Sequence, residues 1–437
     1  MSNVLLPEFP TDKEFEEFVA AFYQCGGLYI DRSIIDRGEE ELFELDIIAT
    51  DYKAAVSPHL RLIEIKSKGW GFSDIFKVRG WMEFLQIKDG EFVTLKANDH
   101  PEYCQNKANE IGVPLTSLGD WKNAPELFKN KLDLMGTQEL DGNVWRFSYW
   151  IERKIGAAIK KRKKEHPGRL SYRAVDDYYF MVNSRTFLTP GALNRVNKLY
   201  DAFKMHPHIA ACWAHEEQGG DFQGAHKDVP KSMFEATYYA CKQTDLSLFT
   251  FVEHRSRIAI MKSAIDFAIY EKNGDAARAG NSVSFRFLGT SYKTLDFLPQ
   301  SFRDGLLAIS SEPYFHRYAV VWQWFLWAFG GFILLDFEEA ELDALASRAR
   351  IPVAHIRDAL NAYDKLFPVA SGWFQAIPHC RILAIKMMPT PYLGLGAHYR
   401  RVLYTKDGDL SKIGLTGTYT VTELNKWINC AHATLCE

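Results

Sequence analysis

Leu60-Arg61-Leu62-Ile63-Glu64-Ile65-Lys66-Ser67 is the stretch that most constrains this chain. Apolar residues at 60, 62, 63 and 65 mark a short β-strand. Side chains alternate along a strand, so Glu64 and Lys66 share one face. A carboxylate beside an ammonium on an otherwise apolar strand is costly unless the two pair or hold something charged. A second apolar run, Phe43-Glu44-Leu45-Asp46-Ile47-Ile48-Ala49, carries Asp46 eighteen residues upstream of Glu64. Two carboxylates and a lysine gathered from these runs would suit a hard divalent cation and a phosphate.

The surrounding periodicities predict an α/β N-terminal domain. Phe15, Phe18, Val19 and Phe22 repeat at helical spacing within 12–25, and Gly26-Gly27 closes that helix. Strands are expected at 28–35, 43–50 and 60–67, a helix at 73–88, a strand at 91–96, a helix at 102–111 and a strand at 113–118. The order αβββαβαβ implies a mixed sheet. A chain of 437 residues should hold two or three domains. The pattern changes near residue 120, giving an expected division into 1–120, an α+β domain at 121–310 and an α+β region at 311–437.

In that larger C-terminal part, helices are expected at 148–165, 190–204 and 262–271, and a β-rich pair at 246–262. The block 337–367 reads as two helices joined by Ala349–Val353, with the outline of a helix-turn-helix. Arg348, Arg350, His355 and Arg357 stand near its turn, although a helical hairpin in a core is the simpler reading. The tail from 380 mixes strands with a helix at 421–432. Ala319–Leu335 is apolar except for Gln323, short for a membrane span, and runs straight into acidic residues. It reads as buried core, and no membrane association is expected.

The first 120 residues resemble the PD-(D/E)XK nuclease superfamily, the restriction-endonuclease-like fold, and look closest to its Mrr-like branch. Phe15-Glu16-Glu17-Phe18-Val19 is similar to the Phe-Glu-x-x-Val of that branch's first helix. Asp46 and Glu64-Ile65-Lys66 match the signature in order, with Leu45 where the name-giving proline would stand. Asp74–Gly80 resembles the helix that follows the signature strand and often contacts DNA.

The resemblance implies catalytic roles for Glu16, Asp46, Glu64 and Lys66. It implies Mg²⁺, with Mn²⁺ as substitute, held by Asp46, Glu64 and the Ile65 carbonyl. Glu17 could take the helix position in place of Glu16, and Glu44 is a spare ligand on the strand of Asp46. Lys68, Lys77 and Arg79 are candidate phosphate contacts. The expected activity is hydrolysis of DNA phosphodiester bonds, with RNA not excluded. The setting expected by analogy is a bacterial restriction or antiphage-defence effector, with a C-terminal recognition or regulatory region, room for a protein partner and a homodimer. The alternative is a catalytically silent binding or regulatory subunit on the same scaffold.

Composition narrows the rest. A net charge of −3 means that any nucleic-acid surface must be local. Seven scattered cysteines without a Cys-x-x-Cys pair argue against a zinc ribbon or disulfide framework and fit a cytoplasmic protein. The opening residues lack the basic and apolar regions of a secretory leader. The basic run Lys160–Lys164 could track a nucleic-acid backbone or end a helix, and His206, His208, His215 and His226 form a weak metal candidate.

Overall fold

A computed structural model describes residues 9–165 apart from short gaps, 243–273, 298–385 apart from short gaps, and scattered positions such as Val196 and Tyr392. Helix α1 (Lys13–Cys25) is followed by strands β1 (Tyr29–Arg37), β2 (Glu41–Asp51) and β3 (His59–Lys66). Then come α2 (Phe72–Leu85), β4 (Asp89–Thr94), α3 (Pro101–Glu110) and β5 (Leu115–Ser117). The expected αβββαβαβ order is present, with element ends differing by a few residues. The five strands form one sheet in the order β1-β2-β3-β4-β5. β1, β2 and β3 pair antiparallel, whereas β3, β4 and β5 pair parallel, so the sheet is mixed.

Each face of the sheet is buried against helices. Leu60 and Leu62 of β3 pack with Ile75, Val78 and Met82 of α2 and with Ala108 of α3. Ile63 and Ile65 point the other way, into a core shared with Phe15, Phe18 and Val19 of α1. That core continues through α4 (Ala124–Lys131) and α5 (Gln138–Glu165) into the C-terminal half. Gly27 makes the turn out of α1 possible: its φ of +78° suits glycine, and a Cβ there would stand 2.7 Å from Arg350 Nε.

The described C-terminal region is mainly helical, with a small antiparallel sheet in the order β6-β8-β7 (Phe332–Leu334, Ile382–Ile385 and Phe374–Ile377). The β-rich pair expected at 246–262 is not there. Gln243–Asn273 is one helix, α6, buried along most of its length. Its β-branched and aromatic residues mimic a strand pattern over 246–262, and where it is buried all round, at 251–270, no polar face reveals its period. The helix expected at 262–271 is its second half. Buried pairs one turn apart brace it: Arg257 lies 2.7 Å from Glu253, and Lys262 lies 3.0 Å from Asp266. α5 also begins earlier than expected, at Gln138.

After α7 (Gln300–Ser310), the apolar stretch at 319–335 is core. It forms α8 (Tyr318–Gln323), a π-helical turn at Trp324–Ala328 and β6. Among the described residues no helix is long and apolar enough to cross a membrane. Gln323 works as a plug for the sheet edge. Its side chain accepts the Ile30 N–H at 3.2 Å, donates to the Ile30 carbonyl at 3.0 Å and accepts from Gln24 at 3.1 Å. A buried edge strand needs such partners.

The 337–367 block contains α9 (Glu338–Ala349) and α10 (Ile356–Leu366), docked into the same core. Arg348 is buried on Asp141 at 3.0 Å, while Arg357 lies at the surface, 3.0 Å from Glu338. The helix expected at 190–204 falls almost entirely outside the described residues, as does the one at 421–432.

Candidate active site at the fork of two strands

Pairing between β2 and β3 runs from Asp51↔His59 to Ile47↔Ile63 and stops there. Beyond that point the Ile65 N–H donates to Asp46 Oδ2 at 2.8 Å. The Lys66 carbonyl accepts from Leu95 N at 2.9 Å, so the backbone groups of Lys66 face β4. Ladder groups alternate along a strand, which turns the Ile65 N–H and carbonyl toward the fork. The Asp46 carboxylate and the Ile65 carbonyl therefore border one opening.

A local distortion aims Asp46. Phe43 and Leu45 pack with the α2 side of the sheet, yet Ile47 and Ala49 pack with the α1 side. The alternation is broken at Asp46. Across from it on β1, Ser33 has φ +48° and drops out of an otherwise continuous register between Arg32↔Ile47 and Ile34↔Leu45. Irregular strand pairs of this kind re-aim side chains.

Electrostatics bind the cluster together. Asp46 is 7% exposed, and its carboxyl is pushed well above the usual range by burial, then by the charges of Glu64 and Glu16. Lys66 Nζ donates to Glu64 Oε1 at 2.6 Å. Burial alone would lower the Lys66 ammonium, but Glu64, Asp46 and Asp74 outweigh it and hold it raised. Glu16 is raised by burial and opposed by Lys13, which donates to it at 3.0 Å.

The donor set fits a hard cation. Carboxylates crowded about Asp46, beside a carbonyl on a strand fork, are hard oxygen donors of the kind such a cation takes, with Lys13 and Lys66 already on two of them. Among the described residues, no group of three His, Cys, Asp or Glu side chains is gathered for a metal as it stands. Occupancy would thus need side-chain rotation from the positions seen.

The remaining candidates separate. Glu17 is 2% exposed and accepts from Arg153 of α5 at 2.7 Å, so it ties α1 to α5, while Glu16 faces Asp46. Glu44 binds Lys13 at 2.8 Å. Lys68 pairs with Asp12 at 2.9 Å on the surface. Lys77 and Arg79 are exposed on α2, Arg79 standing 3.4 Å from Glu83. Lys160–Lys164 lies at the C-terminal end of α5, with Lys161 3.6 Å from Glu165. The four histidines of the weak metal candidate lie outside the described residues.

Two residues of the site escaped the sequence reading. Lys13 bridges Glu16 and Glu44, and its one available signal was the three-residue spacing to Glu16. Ser67 accepts the Asp12 N–H at 2.8 Å, which indexes the start of α1 on the end of β3.

No protein-family model matches the chain, and neither a curated protein nor a solved structure gives a match.

Proposed function

We propose that the chain is a metal-dependent nuclease hydrolysing DNA phosphodiester bonds. Asp46, Glu64 and the Ile65 carbonyl would hold Mg²⁺, or Mn²⁺ in its place. The observation that carries this reading is the strand fork, where Asp46 takes the Ile65 N–H at 2.8 Å and Lys66 stands 2.6 Å from Glu64. The bound cation would supply charge against the phosphate oxygens.

The protein's own groups do the rest. Lys66, on its flexible stem beside Glu64, orients the attacking water or offsets charge on the phosphate as a compact point charge. Glu16 acts through Asp46 by keeping the cluster negative enough to attract the cation. Lys68, Lys77 and Arg79 supply contacts to the phosphate backbone. To the C-terminal region we assign choice of substrate or control of activity. Restriction or antiphage defence in the cytoplasm is the setting proposed by analogy.

Plasmid DNA incubated with Mg²⁺ or Mn²⁺ tests this, with Asp46→Ala and Lys66→Ala alongside and an RNA substrate in parallel. Wild type should nick or linearise the plasmid, and each variant should lose about a hundredfold or more in rate, the scale of removing one group that stabilises developing charge. Equal rates for all three proteins would refute the assignment.

A further inference from the structure

Lys13 Nζ lies 3.0 Å from Glu16 Oε2 and 2.8 Å from Glu44 Oε1. Its partners sit on different elements, α1 and β2, so the bridge spans the acidic cluster rather than decorating a helix. The start of α1 is fixed in place by the Asp12 N–H on Ser67 and by the Asp12–Lys68 pair. Glu16 has 15% side-chain exposure and Glu44 35%, so the ammonium closes the outer side of a recessed site.

We propose that the Lys13 ammonium takes the place of a second cation, so that the site accepts one divalent ion and not two. This rests on the metal-site reading above. With a cation bound and Asp46 ionised, Glu16, Glu44, Asp46 and Glu64 carry four formal negative charges and Lys13 and Lys66 two positive ones, while Asp74 beside Lys66 and Arg32 beside Glu16 offset each other. The formal charge left over is matched by a single divalent ion. A second ion would have to take Glu16 and Glu44 from Lys13, both at hydrogen-bond distance. A two-ion clamp on the entering and leaving oxygens is then not formed. Lys66 and Lys13 provide the remaining positive charge, and Lys13 is 44% exposed.

Calorimetric titration of Mn²⁺ into the full chain without nucleic acid tests the proposal. Wild type and Lys13→Arg should bind one ion, Asp46→Asn none, and Lys13→Met two, with Lys13→Gln as a second neutral variant should Lys13→Met not fold. Two Asp46-dependent ions in wild type, or a single ion in the folded neutral variants, would overturn it. Absence of any Asp46-dependent ion in wild type would instead sink the metal-site reading, and this inference with it.

Discussion

Gln323→Leu probes how the two halves of the chain hold the site. Gln323 is 5% exposed, and its amide serves both the N–H and the carbonyl of Ile30, at 3.2 and 3.0 Å. Leucine has nearly the same volume, so little cavity forms. What remains is two backbone groups of a buried edge strand with no partner. At about 1–3 kcal/mol for each orphaned group, the folded state should lose about 2–6 kcal/mol. The Gln24 amide loses less, because it also donates to the Leu28 carbonyl at 3.1 Å.

Urea unfolding followed by tryptophan fluorescence gives the loss as a lowered midpoint at constant slope. Hydrogen exchange at the Ile30 amide should quicken in step. The disturbance lies close to the strand fork, since Ile30 is three residues before Ser33, the distorted position opposite Asp46. A loss under about 1 kcal/mol would refute the reasoning, because it would mean that the strand edge finds other partners as readily.

Two further outcomes follow from the same geometry. Asp46 is raised in the fold by burial, Glu64 and Glu16, so between the unfolded carboxyl value, near 4, and the raised value the folded chain holds the extra proton. Without divalent cation, this group's contribution makes stability fall as pH rises through that window. Asp46→Asn should flatten the trend and raise the urea midpoint at pH 7; a lowered midpoint there would contradict the sign. Gly80→Ala, in the exposed face of α2 with nothing within 4 Å of the added Cβ, should stabilise the chain by about 1 kcal/mol. Destabilisation in the same denaturation assay would show that the helix is not free there.

The N-terminal layout was legible because its signals are local. Short apolar runs marked the strands, with clear alternation at 91–96, a helical repeat marked α1, and Gly26-Gly27 marked its end. Of α6 only the expected 262–271 helix was legible; its first half read as strands, since burial along 251–270 removes the polar face by which periodicity is recognised. The preference for Glu16 over Glu17 came from the resemblance and could not be secured from the residues themselves. Adjacent helix positions both point near the sheet edge, and what separates them is Arg153, 136 residues away, which claims Glu17. Lys13 gained its meaning from Glu44, 31 residues away.

From sequence alone came Asp46, Glu64 and Lys66, the pair Glu16 and Glu17 as helix candidates, and the strand and helix order that could assemble them. Tertiary structure decided the rest. It ended the β2–β3 ladder at Ile47↔Ile63, turned Asp46 onto the Ile65 N–H, seated Lys13 between two carboxylates and plugged the sheet edge with Gln323. Alternation and helical repeat are properties of neighbouring residues, so they can be read along the chain. The charge state of a site depends on distances between residues far apart in sequence, and only the packed fold sets those.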